Sequence, residues 1–185
     1  MTGKTHIIGG IAAATAVTSL FGIYEPRSVT GLTIYGGAFL LPAVVGALAP
    51  DIDHGNSKAS NVNLFTKIAS IFLRIVCGHR GVIHSPFFLS ILCVIGFVLT
   101  IIFPFPLVRE SIFGFLIGYA SHLFIDFFNK EGIPVLFPFV WNPDGKPKKY
   151  HLLGLPEGGL IEWVMRGLLF VASIYMICVF AMKVI

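Results

Sequence analysis

His122 and Asp126 stand four residues apart within 118–128, a stretch otherwise apolar enough for a membrane interior. On a helix that spacing puts imidazole and carboxylate on one face, one turn apart, close enough to hold one ion or one proton. An ionised group at the centre of a membrane helix costs roughly 2.5–3.5 kcal/mol on insertion scales, so such groups generally stand there for function. A buried Asp beside a His is tolerated best when a metal or a hydrogen bond neutralises it.

Groups of the same chemistry recur at the ends of other apolar runs. His6 precedes the first run, Asp51, Asp53 and His54 follow the second in Pro-Asp-Ile-Asp-His, and His79 and His84 precede the third in Gly-His-Arg-Gly-Val-Ile-His. Neutral imidazole and carboxylate are the usual ligands of zinc and also suit manganese or iron. The candidate ligands of a divalent metal, zinc first, are therefore His6, Asp51, Asp53, His79, His84, His122 and Asp126. An Asp-x-Asp turn can offer one carboxylate to each of two ions, and two ions together would activate water and clamp a phosphoryl group. Each residue also has a plainer reading. His122 and Asp126 could be a structural pair, Asp51 and Asp53 loop residues that end a helix, His79 and His84 interfacial histidines, and His6 a snorkelling residue at a helix start. His54, His151 and Glu157 read as solvated, and Glu162 reads equally as a further ligand or as a favourable acid at a helix N-terminus.

The elements that must position these groups are membrane helices. The chain is 56% hydrophobic and 12% charged, with a mean hydropathy of +0.87, well outside the usual soluble range. At 185 residues it forms a single integral membrane domain, 1–185. The fold class is all-α: a polytopic transmembrane helical bundle of about five spans, near 7–22, 31–49, 85–103, 111–128 and 160–184. Residues 56–80 alternate basic and apolar positions at helical spacing and read as an amphipathic helix lying in the interface. Pro50 ends the second span, and Ser85-Pro86 supplies an N-cap and first-turn pair for the third. Residues 129–159, rich in Pro and Gly, form a loop. Lys4 ahead of the Ala-rich run resembles a signal peptide with a cleavage site near Ala12–Ala16, but cleavage would discard His6, so the run reads as a span. The three cysteines are widely spaced and define neither a disulfide framework nor a zinc ribbon.

Five spans put the N-terminus, 50–84 and 129–159 on one side. That side collects Lys4, Lys58, Lys67, Arg74, Arg80, Lys130, Lys146, Lys148, Lys149 and Arg166, against Arg27, Arg109 and Lys183 opposite. The bias places the first side in the cytoplasm. All seven candidate ligands, and His54, fall at that same face, brought there from four segments of the chain. Arg80 and Lys58 would lie beside the site, where they could hold an anionic group, although a topological role is the simpler one.

Taken in order, Gly-Lys-Thr-His6, Leu-Ala-Pro-Asp-Ile-Asp-His54, Gly-His-Arg-Gly-Val-Ile-His-Ser85, Gly-Tyr-Ala-Ser-His-Leu-Phe-Ile-Asp126 and Gly-Ile-Pro-Val-Leu-Phe-Pro138 resemble the YdjM-like bacterial inner-membrane proteins. The resemblance extends to Glu162 and covers nearly the whole chain. It implies a metal-dependent hydrolase of the inner membrane under LexA-type SOS control. Ile83 stands where the family usually has Thr. A more distant similarity, to zinc-dependent phospholipase C and single-strand nucleases, rests on an N-terminal His, an Asp, a following His and a helical His-x-x-x-Asp. A second helical motif of that type is missing here, so a full three-metal site is not expected.

The expected function is a membrane-embedded metal-dependent hydrolase acting at the cytoplasmic face on a phosphoester or lipid-linked substrate, with the lipid bilayer as its surroundings. Alternatives are a metal or proton transporter, which should carry polar residues on toward the opposite face, and a structural protein stapled by its metal. No basic stripe points to nucleic acid.

Overall fold

The computed structural model describes residues 1–21, 28–53 and 81–182, with Ile52 and Asp53 described in backbone only. The expected interfacial helix at 56–80 lies outside these residues, as do His54, His79 and Cys77. Among the described residues there are helices and three isolated β-bridges but no strand.

Helix α1 runs Gly3–Phe21. Helix α2, Val29–Tyr35, passes through a π turn, Gly36–Leu40, into α3, Leu41–Leu48. A 3-10 turn, Pro50–Asp53, follows. A second 3-10 turn, Val82–His84, leads into α4, Pro86–Ile102. Helix α5 spans Pro106–Phe127 and α6 spans Leu160–Met182.

Local chemistry accounts for most of these boundaries. Ser28 and Ser85 cap α2 and α4, accepting from the Gly31 and Phe88 amides at 3.0 and 3.1 Å. Pro86 and Pro106 occupy first-turn positions, where a missing N–H costs nothing. The π turn sits where Pro42 would otherwise press on the carbonyl one turn back. Widening the helix there lets the Leu41 amide reach Gly36 instead.

Each expected span coincides with helix, but two boundaries move. The first helix starts at Gly3, which puts His6 inside its first turn. Helix α5 starts at Pro106 rather than at 111: Pro106 takes a first-turn position, and Arg109 and Glu110, paired at 3.1 Å, lie inside the helix. By length and composition Val29–Leu48 and Leu160–Met182 are each sufficient to cross a membrane, and Pro86–Ile102 is apolar but shorter.

The packing is inverted relative to a water-soluble bundle. Thr5, His6, Thr15, Thr18, His122, Asp126 and Glu162 are buried, whereas Phe97, Ile101, Leu168, Phe170, Val171 and Tyr175 face outward. Apolar faces of that extent need a non-aqueous surrounding. Around a core of Tyr35, Phe39 and Phe180, the contact between the second apolar stretch and α5 is closed by small residues. A Cβ on Gly46 would run into the Phe115 carbonyl, one on Gly114 into the Phe39 carbonyl, and one on Gly118 into the Ala43 carbonyl. Helices α3 and α5 therefore meet backbone to backbone, as small-residue membrane helices do. Helix α1 packs on α3, α5 and α6, and α4 packs on α5.

Residues 128–159 have no regular structure but are tied to the end of α5. Leu152 and Leu155 donate to the carbonyls of Phe127 and Phe128 at 2.8 and 2.9 Å, and Ile133 exchanges two hydrogen bonds with Tyr150. Gly132, at φ +64, makes that approach possible, since a Cβ there would strike the Tyr150 carbonyl.

Candidate metal centre

Three buried histidines and two carboxylates converge where α1, α3, α4 and α5 meet. His6 comes from the first turn of α1, Asp51 from the turn after α3, His84 from the turn before α4, and His122 and Asp126 from the last turns of α5. His6, His84, His122 and Asp126 are fully buried, and the Asp51 side chain is 16% exposed.

The distances are those of groups arranged around a shared centre. His6 Nε2 lies 3.3 Å from Asp126 Oδ1, and His122 Nε2 lies 3.5 Å from Asp126 Oδ2. Asp51 Oδ1 is 3.8 Å from both His84 Nε2 and His122 Nε2, and His84 Nε2 is 4.0 Å from Asp126 Oδ2. These separations exceed hydrogen-bond length. Donors bound tetrahedrally at zinc distances lie about 3.4 Å apart, close to the shorter of them. The rings pack accordingly: His6 stacks on His122 with centroids 3.8 Å apart, and His84 meets His122 edge-on at 5.3 Å.

His122 is held in the tautomer a metal requires. Its Nδ1 lies 2.7 Å from the Ala47 carbonyl, in the last turn of α3, where helix carbonyls lose their intrahelical partners. The Nδ1 proton goes to that carbonyl, and the Nε2 lone pair faces the carboxylates. Neither nitrogen of His6, nor His122 Nε2, has a hydrogen-bond partner among the described residues. Buried imidazoles left in that state fit metal ligation.

Two groups of three donors satisfy ligand spacing: His6, His122 and Asp126, and Asp51, His84 and His122. Both use the one Nε2 of His122, and a single nitrogen binds a single ion. The five residues would therefore serve either one ion drawing on the whole set or two ions of which only one could take His122. The structure thus joins five of the seven expected ligands. The Asp53 side chain and His79 lie outside the described residues.

Asp51, outside the helices, is the carboxylate nearest solvent. Burial pushes its pKa up, but the His84 imidazole beside it, with His122 and His6 next to that, pulls it further down, to about 2. Its contribution to stability is accordingly full above its ordinary value of 3.8 and lost as pH falls through about 2.

Comparison with known proteins identifies the family. The family model of the YdjM inner membrane protein matches residues 1–185. The chain belongs to the YdjM inner membrane protein family. The chain is 29% identical over 184 residues to "Inner membrane protein YdjM" of Escherichia coli (strain K12), covering 95% of this chain and 83% of that one. A protein of the same name from Shigella flexneri matches to the same extent. "Uncharacterized protein YvsG" of Bacillus subtilis (strain 168) is 38% identical over 139 residues, 75% of this chain and 74% of its own length. No solved structure matches. The family resemblance read from the motifs is thus established, and the surroundings of this YdjM-family chain are the inner membrane.

Other parts of the centre were not foreseen from the sequence. Glu162, at the start of α6, ligates nothing in this arrangement. It accepts from the Thr2 amide, the Thr2 and Thr5 hydroxyls and the Gly158 amide, at 2.5–2.7 Å. It therefore fixes the first turn of α1, and with it His6, to α6 and to the end of the preceding loop. The Met1 amino group lies 3.0 Å from Asp126 Oδ1. Tyr119 donates to the Ile83 carbonyl and so ties the turn carrying His84 to α5. The only sequence signal for the Glu162 anchor was Thr2-x-x-Thr5 opposite an acid in an apolar helix, 157 residues away from Thr5. Replacing Glu162 by Gln leaves Oε1 able to accept but removes the charge that organises four donors. Metal affinity should fall roughly 10–100-fold, as for other outer-shell changes, with metal still bound at saturation. Titration of the purified variant with zinc checks this.

Proposed function

We propose that the protein is a membrane-embedded metal-dependent hydrolase whose centre opens at the cytoplasmic face and acts on a phosphoester or a lipid-linked ester. The observation that carries this reading is the convergence of three imidazoles and two carboxylates from four segments, with His122 Nε2 presented by the Ala47 carbonyl. Five membrane crossings with a cytoplasmic N-terminus are part of the proposal. They are supported by helix at all five apolar stretches and by the distribution of Lys and Arg.

His6, His84, His122, Asp51 and Asp126 would hold a divalent ion, zinc first, with manganese or iron also suited to the donor set. Bound there, the ion supplies Lewis acidity and a water whose pKa is lowered toward neutrality. Asp51, the one partly exposed member, would stand on the side of the centre from which water and ester enter. The water oxygen would bond to phosphorus as the ester P–O bond breaks, and the proton lost by the water would pass to the departing alkoxide. The other four side chains, fully buried, fix geometry and keep bulk water out.

That burial also favours a second reading, a structural staple, because structural zinc sites are closed. A transporter has less support. Thr15 and Thr18, deep in α1, donate to carbonyls of their own helix rather than lining a path. Protein purified in detergent and loaded with zinc should hydrolyse a soluble phosphodiester such as bis-p-nitrophenyl phosphate, with the rate lost on chelation and restored on reloading. Stoichiometric metal with no hydrolysis of soluble or lipid phosphoesters would identify the staple.

A further inference from the structure

A groove of about 490 Å³ lies between α3, α4 and α5, walled by Val45, Leu92, Ile95, Leu99, Ile112 and Phe115. Its walls are almost wholly apolar, and its rim belongs to the outward surface, Val45 being 52% and Ile95 49% exposed. The groove is therefore continuous with the surface that an inner-membrane protein presents to lipid.

Its position relative to the metal centre gives it a further meaning. Each of the three walls runs on into a ligand. Helix α3 leads to Asp51, α4 begins directly after His84 and Ser85, and α5 ends with His122 and Asp126. On α5, Ile112, Phe115, Tyr119, His122 and Asp126 follow one another at spacings of three and four, so groove wall and ligands share one face. From Ser111 to His122 is about 16 Å along the helix axis, within reach of an ordinary acyl chain. Between the groove and the ligands stands Tyr119, which packs against Phe88 and Phe115 and bonds to the Ile83 carbonyl.

We propose that this groove receives an acyl chain of a membrane phospholipid whose headgroup ester lies at the metal centre, with Tyr119 at the neck between the two. The substrate half of this inference rests on the hydrolase reading; the lipid half rests on the groove alone. Chain and headgroup would then be recognised by opposite ends of the same three helices.

The test separates the two halves. The full-length protein is reconstituted in phosphatidylethanolamine–phosphatidylglycerol vesicles containing phosphatidylglycerol with a mid-chain diazirine, irradiated, and mapped by peptide mass spectrometry. Labels should concentrate several-fold on the groove walls over the equally apolar outer face of α6 around Leu168 and Val171. Val45→Trp, which places an indole at the rim away from every ligand, should remove the groove label while bound metal stays unchanged. Ile95→Trp serves the same purpose from the facing wall if the first variant does not fold. Labelling spread over α6 in proportion to exposure, or a groove label indifferent to both tryptophans, overturns the proposal. In the hydrolysis arm, Val45→Trp should raise KM for the long-chain lipid about tenfold or more and leave bis-p-nitrophenyl phosphate turnover unchanged. A groove that labels as expected in a protein hydrolysing neither compound overturns the substrate role and the hydrolase reading, and leaves the lipid site standing.

Discussion

Replacing Asp126 by Asn should empty the metal centre while leaving the bundle folded. Asp126 faces His6 through one oxygen and His84 and His122 through the other, at 3.3, 4.0 and 3.5 Å. It thus reaches all three imidazoles of the centre. The amide keeps the shape and one acceptor but loses the charge that compensates a buried divalent cation. Metal affinity should fall by well over the roughly 10–100-fold that outer-shell changes cost, and any metal-dependent hydrolysis should fall with it. Elemental analysis after dialysis against a weak chelator is the measurement. His122→Gln should behave alike, because the ring is used at both nitrogens, Nδ1 toward Ala47 and Nε2 toward the carboxylates. A variant that keeps full metal at full affinity would show that the ion, if bound, sits elsewhere.

Gly118→Val should have the largest effect on stability. The nearest atom to a Cβ at Gly118 is the Ala43 backbone oxygen, which cannot rotate away as a side chain can. Overpacking in cores typically costs about 1–3 kcal/mol. Here α3 and α5 would have to separate, so the upper end of that range is expected, read as a lowered melting temperature in detergent. Separation of these helices would also draw Ala47 away from His122, so metal affinity should decline in step with stability. Gly37→Ala is the control: open space surrounds that position, and the change should leave both quantities near wild type.

Side-chain chemistry carried the centre in the sequence because its ligands are costly where they stand. A His and an Asp at helical spacing in an apolar stretch, Pro-Asp-Ile-Asp ending a span and a His just before Ser85-Pro86 each violate the local rule for membrane segments. Such violations can be read without a structure. The helices were legible for the same reason, from apolar length and from caps such as Ser85. What remained hidden depends on partners far along the chain. Glu162 could not be told from a ligand, because its partners Thr2 and Thr5 lie some 160 residues away. The first residues of α5 fell outside the expected span at 111–128, since Pro104 and Pro106 read as marking a turn, whereas Pro106 takes a first-turn position of the helix itself. The bonds tying 128–159 to α5 are almost all between backbone groups and leave no side-chain signature.

The π turn at Gly36–Leu40 bears on all of this through helical phase. Tyr35, Phe39, Ala43 and Ala47 are all buried, at successive intervals of four residues. In an uninterrupted α-helix each such step overshoots a full turn by about 40°, and three of them would carry Ala47 about 120° around the axis from Tyr35. One wider turn takes up part of that excess. The same flank of the span can then set Tyr35 against Phe180 at one end and offer the Ala47 carbonyl to His122 at the other. A local defect in the helical ladder thus works as a phase corrector, keeping the distant core and the metal centre on a single line.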